Sequence, residues 1–218
     1  MNRRVFGLQA ASLVAVLAAA PSAWATDEAP DALIKRLSDE LLTLIRTDPA
    51  IKAGDTNRIM AIVDSKVMPN VNFRRMTAAT VGPSWRQATP EQQKRLQDEF
   101  KTLLVRTYSG ALAQVNDESI TVKPLRAAAT DTEVVVRSEI RGRGEPIQLD
   151  YRLEKTPGQG SGWKIYNLNV LGVWLVETYR SQFSQEISNR GIDGLIATLA
   201  ERNRSNAGGT GTGTARRG

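Results

Sequence analysis

The chain has 218 residues, with 29 basic side chains against 23 acidic ones, a formal net charge of +6, and neither histidine nor cysteine. Those two absences exclude a Ser-His-Asp triad, a cysteine nucleophile, an ordinary zinc site and a disulfide framework. The positive excess is mild and interleaved with acids. No phosphate loop, RNA-binding aromatic signature or zinc-finger spacing accompanies it, so no nucleic-acid partner is expected.

The first feature in chain order is an export signal. Arg3 and Arg4 form a positive n-region, Val5 to Ala20 is an apolar run broken only by Gln9 and Ser12, and Ala23-Trp24-Ala25 is an A-x-A cleavage site. Residues 1–25 are therefore expected to be removed, so that the mature protein begins at Thr26. The run falls short of the ~20 apolar residues of a membrane span. Arg3-Arg4-Val5-Phe6 partly fits a twin-arginine signal, but Asn2 and Gly7 do not match its usual neighbours, so both export routes stay open. What remains has the length of one domain, residues 26–204.

The mature chain then reads as helices, strands and helices. Asp31 is placed to cap a helix to about Arg46, with Leu33, Ile34, Leu37, Leu41, Leu44 and Ile45 as its apolar stripe. Pro49 and Gly54 break it. Asp55 caps a second helix through Val67, with Ile59, Ile62, Val63 and Val67 turned inward, and Pro69 ends it. Phe73 to Thr80 suggests a short third helix ahead of Gly82-Pro83. The clearest start is Thr89-Pro90-Glu91-Gln92, a capping box with proline in the first turn. The long helix that follows carries Leu96, Phe100, Leu103, Leu104 and Ala111 on one side, Tyr108 at the stripe's edge, and Lys94, Arg95, Asp98 and Lys101 opposite.

The period next changes to two. Ser119 to Lys123, Glu133 to Arg141, Ile147 to Lys155 and Trp163 to Val170 are four strands separated by turn-rich segments. In the third, Ile147, Leu149, Tyr151 and Leu153 alternate with Gln148, Asp150, Arg152 and Glu154, which predicts an antiparallel sheet with one apolar and one wet face. The last strand turns at Gly172 into a helix whose inner face is Leu175, Val176, Tyr179, Phe183 and Ile187, and Gly191 opens a further short helix. Ser205 to Gly218, nearly all Gly, Thr, Ala and Arg, is expected to be disordered. Helices laid over one face of an antiparallel sheet make an α+β fold.

Several stretches together carry a family resemblance. They are Val71 to Met76, Trp85 to Gln93, Leu104 to Leu112, the strand-to-helix run Trp163 to Phe183, and Gly191 to Ile196. In order and spacing they resemble the MlaC family of periplasmic phospholipid-binding proteins, over a span from about Asp31 to Arg202. The resemblance implies a twisted four-stranded antiparallel sheet and a layer of helices enclosing a hydrophobic lipid pocket. It further implies a phospholipid as cargo, no cofactor and no catalysis. The partners it implies are an outer-membrane lipoprotein–porin complex and an inner-membrane ABC transporter with a lipid-binding ring. A monomer is expected. Two positions depart from the family pattern: Asn167 stands where aspartate is usual, and Trp174 where a small polar residue is usual.

Candidate lipid-contacting residues are the inward apolar side chains, each of which ordinary core packing would explain equally well. They are Ile62, Val63 and Val67 on the second helix, then Phe73 and Met76 on the third. Leu103, Leu104 and Tyr108 follow on the long helix, and Val136, Ile140, Leu149 and Tyr151 on the sheet. Leu168, Val170, Val173 and Leu175 complete the set at the strand–helix junction. Tyr108 and Tyr151 suit a boundary, because a phenol offers a ring to acyl chains and an oxygen to water. Arg106 and Arg152 fit either a lipid phosphate or plain surface charge. Two other classes remain: a non-catalytic adaptor with a filled core, and a carboxylate-based enzyme. The latter needs two acids converging in the pocket, whereas Asp150 and Glu154 alternate onto the opposite face.

Overall fold

The computed structural model describes residues 28–128 and 130–208; the expected export signal and the expected tail beyond Gly208 lie outside them. Helix α1 (Pro30–Thr47) begins one residue before the expected cap. Pro30 takes the first helical position, where its missing N–H is no loss, Ala29 is the cap residue, and the Asp31 carboxylate reaches only the Ala32 N–H at 3.1 Å. A single turn, α2 (Pro49–Lys52), is capped by Asp48. Asp55 caps α3 (Thr56–Ile62) as expected, accepting from the Asn57 and Arg58 N–H groups. The rest of that expected helix is a π turn over Val63–Val67 followed by a 3₁₀ turn over Met68–Asn70. Helices α4 (Phe73–Val81) and α5 (Pro90–Leu112) follow. At the start of α5 the reciprocal box is present: Gln92 N–H donates to Thr89 Oγ1 at 3.2 Å, and Thr89 N–H to Gln92 Oε1 at 3.0 Å.

Strands β1 (Ser119–Val122), β2 (Glu133–Arg141), β3 (Ile147–Lys155) and β4 (Trp163–Val170) form an antiparallel meander, but the sheet has five strands, not four. Leu171 (φ 54°) and Gly172 (φ 84°) both adopt left-handed backbone. That two-residue turn folds the chain back so that β5 (Val173–Trp174) pairs Val173 with Val170. The glycine signals a turn in the sequence; a leucine with positive φ does not. Helix α6 (Leu175–Gly208) is interrupted at Gly191 (φ 70°, ψ −174°), where the sequence predicts a new helix to open. It continues through Ser205 to Gly208, so the expected tail starts in helix.

Three apolar clusters hold these elements together. The largest joins α4, α5 and α6 around Phe100, whose ring stands edge-on to Tyr179 and Phe183 with centroids 5.1 and 5.3 Å away. In the second, Leu33, Ile34 and Leu37 of α1 cover Val134, Val136, Leu153, Trp163 and Ile165 of the sheet. The third packs Ile45, Ile51, Ile59 and Ile62 against Val105 of α5.

The outer face of the sheet is drier than the strand alternation predicts. Asp150, Asn167 and Asn169 lie on it but are only 3%, 1% and 4% exposed. Asp150 accepts from the Ser138 N–H and from Gln148 within the sheet, while the β4–β5 turn and the first turn of α6 draw the two asparagines into their own bonding. Asn167 Oδ1 accepts from the Val176 N–H at 3.1 Å, and Asn169 Oδ1 from the Gly172 N–H at 2.9 Å.

Candidate functional site

The antiparallel register arranges the inner face of the sheet in cross-strand rows. Val134, Leu153 and Ile165 make the first row, Val136, Tyr151 and Leu168 the second, and Ser138, Leu149 and Val170 the third; Ile120, Ile140 and Ile147 make the last. Helix α1 seals the near rows, leaving Val136 and Leu153 at 0% exposure. Burial then fades along the sheet. Leu149, Val170 and Ile140 are half-buried, Ile147 is 38% exposed and Val173 50%. Helix α5 makes its main contacts with α3, α4 and α6 rather than with these strands. Its Leu104 and Tyr108 are half-buried against the largest cluster, as are Leu168 and Val170 of the sheet. The half-buried apolar side chains of α5 and of the far half of the sheet are the candidate apolar seam, and the π turn borders the third cluster through Val63.

The predicted residues divide between seam and core. Phe73, Met76, Leu103 and Leu175 are fully buried in the helical cluster, Val136 in the second and Ile62 in the third, so packing accounts for all six. Leu104, Tyr108, Leu168 and Val170 lie on the rim of the first cluster, Tyr151 on that of the second and Val63 on that of the third. Val67, Ile140 and Leu149 are half-buried and belong to none, and Val173 is turned half into solvent by β5. Leu41, Leu44 and Leu112 are half-buried beside the third cluster and were not among the candidates. The first two stood in the α1 stripe already, but a stripe does not distinguish a rim from a core position.

The polar groups near the seam are neutral or paired, with Arg106 as the exception. Burial pushes the Tyr151 phenol up to about 12, beside the Ser38 and Ser138 hydroxyls, and burial raises Tyr108 as well. Arg152 does not stand free for a phosphate. It pairs with Glu177 at 2.5 Å and lies over the Trp174 ring, 4.0 Å from its centroid. Trp174 therefore packs on the outer face, whereas Arg106 has no ion pair among the described residues. Burial alone would raise Glu177, but the bonds from Asn167 and Arg152 hold it below its ordinary value. Asn167 Nδ2 donates to Glu177 at 2.8 Å. An aspartate there would set two carboxylates side by side, which gives the departure at this position a physical reason.

The acids of the catalytic alternative do not converge. Asp150 accepts from the Ser138 N–H and from Gln148, while Glu154 is held by Asn72 and Arg75. Among the described residues no group of three or more His, Cys, Asp or Glu could hold a metal, and no helix is long and apolar enough to cross a membrane.

A model of the family described as MlaC protein matches residues 35–201. The toluene tolerance protein ttg2D of Pseudomonas putida is 26% identical over 182 residues, covering 83% of each chain. The intermembrane phospholipid transport system binding protein MlaC of Haemophilus influenzae is 24% identical over 178 residues, 80% of this chain and 82% of that one. Among solved structures, a phospholipid-binding protein from Ralstonia solanacearum, determined in complex with a phospholipid, is 48% identical. It aligns with a TM-score of 0.77 over 81% of this chain and 98% of its own.

Proposed function

This chain belongs to the MlaC family, and on that premise we propose that it is a non-catalytic periplasmic phospholipid carrier, exported by a signal cleaved after Ala25. It takes acyl chains into the seam between α5 and the far half of the sheet, and it moves lipid between an outer-membrane lipoprotein–porin complex and an inner-membrane ABC transporter, so maintaining outer-membrane lipid asymmetry. The observation that carries this reading is the phospholipid held by the Ralstonia relative, with which nearly half the aligned residues are shared. The half-buried apolar rows of the inner face supply the matching chemistry.

The energetics define what such a carrier does. A diacyl lipid has roughly thirty methylenes, and at ~0.8 kcal/mol each their exposure to water costs about 24 kcal/mol. Free diffusion across an aqueous compartment is therefore negligible. A carrier needs only a cavity about as apolar as a bilayer, with release triggered by a partner. No nucleotide site is required of it.

The test is native mass spectrometry of residues 26–218 purified without detergent, followed by lipid extraction. A bound mass that resolves to phospholipid is the expected outcome, and it identifies headgroup and chain lengths. An apo mass with no uptake from phospholipid vesicles overturns the carrier reading and favours an adaptor with a filled core.

A further inference from the structure

A second feature, on the opposite side of the molecule's chemistry from the lipid seam, is an open sheet edge inside a groove. The ladder partner of β2 on one side is β1, which pairs only with residues 138–141 of β2. The last bond on that side runs from the Lys123 N–H to the Arg137 carbonyl at 2.8 Å, and the chain then leaves the strand at Pro124. Antiparallel backbones alternate the direction of their polar groups. Thr132 accepts from Lys155 on the β3 side, so Glu133, Val135 and Arg137 direct theirs toward the side β1 has vacated. Among the described residues nothing on that side bonds the N–H or C=O of Val135.

This edge is not simply a flat, solvated margin. Lys123 to Arg126 on one side and Asp131 on the other line an open groove of about 500 Å³ against Val134 and Val135. The charges around it are unbalanced by their bonding. Glu133 is turned away to Arg75 and the Tyr166 hydroxyl, and Asp131 accepts from the Ala128 N–H. Arg126 and Arg137, both exposed, have no ion pair among the described residues. The groove thus offers unpaired strand hydrogen bonds flanked by two uncommitted guanidinium groups.

We propose that this edge is a docking site for an extended, acidic segment of a partner polypeptide, added as a strand in line with β1 and bonded through Val135. Strand addition supplies main-chain bonds to any extended sequence. The two arginines select acidic side chains and disfavour basic ones. This site stands apart from the lipid seam and does not depend on the carrier reading.

The test uses ¹⁵N-labelled mature protein, residues 26–218, and a blocked pentapeptide of sequence Glu-Val-Thr-Val-Glu. Expected is a shift of the Val135 amide resonance with at least tenfold slower hydrogen exchange, and at least fivefold weaker binding of the same peptide with lysine in place of glutamate. Val135→Pro removes the outward N–H without breaking a ladder bond to β3, and it abolishes binding. Should that variant fail to fold, R126E combined with R137E reverses the preference between the two peptides. The proposal is overturned if the Val135 amide is unaffected at millimolar peptide or if the lysine peptide binds equally well. It is also overturned if protection grows with protein concentration alone, which means that a second copy occupies the edge.

Discussion

Helix α5 serves two regions of the molecule with the same kinds of side chain. Its first turns supply Leu96 and Phe100, both 0% exposed and locked among rings from α4 and α6. One and two turns after Phe100, Leu104 and Tyr108 are only half-buried at the edge of that cluster, where Leu168 and Val170 also pack. The difference is closure: rings from α4 and α6 shut over the first pair, whereas the second pair stays half open at the cluster's edge. Stability and cargo handling should accordingly be separable along a single helix, the first depending on the ring cluster and the second on the seam.

The largest effect is expected at the ring cluster. Phe100→Ala removes the residue that contacts Phe73, Tyr179 and Phe183, and it should cost about 3–5 kcal/mol. For a chain of this size that is a fall of roughly 10 °C in Tm by calorimetry. A loss under 1 kcal/mol would erase the contrast between the two regions. Next comes Asn167, which pins the first turn of α6 where Leu175 and Val176 enter that cluster. Asn167→Asp places a carboxylate beside Glu177 and should cost about 2 kcal/mol at neutral pH. Repulsion raises the pKa of the pair in the folded state, so the deficit should shrink as pH falls and the pair takes up a proton. Adding Glu177→Gln should recover most of it in urea titrations.

Tyr151 tests the seam from the sheet side. Its folded-state pKa is pushed up to about 12, above the ordinary value near 10, so the neutral phenol favours the fold. That contribution is complete below pH 10 and is lost progressively as pH rises from 10 to 12. The wild type should therefore lose about 1–2 kcal/mol across that window, a decline that Tyr151→Phe flattens. Equal alkaline limbs in the two proteins would mean that the ring is solvated.

Much of this architecture was legible because its signals are local. The Thr89–Gln92 box, the Asp55 cap and the limits of β2, β3 and β4 depend on neighbours within a few residues. The fifth strand was hidden, since it requires Leu171 in a conformation that leucine rarely adopts. Burial of Asp150, Asn167 and Asn169 was hidden too, because strand alternation carries no sign of the bonds each accepts, from Ser138 and Gln148, from Val176, and from Gly172. At the candidate site, alternation identified the apolar face but not the grade of burial along it. Val136 and Leu149 look alike in sequence; one is sealed by α1 and the other lies beyond it. The open edge of β2 was invisible for the same reason, since it is defined by where β1 stops pairing.

The smallest expected effect on stability is the sharpest test of the seam. Leu104→Ala and Leu149→Ala each remove methyl groups that are already half in contact with solvent, so the folded state loses about 1 kcal/mol or less. Those groups matter in proportion to the acyl surface they cover once a lipid is present. The double variant should unfold within a few degrees of wild type yet retain at least tenfold less phospholipid after purification, a difference of about 1.4 kcal/mol in binding. Phe100→Ala should show the converse below its lowered Tm, with lipid retained per folded molecule. If instead the leucine variants lose several kcal/mol of stability and keep their lipid, the seam is core, and the cargo lies elsewhere along the inner face.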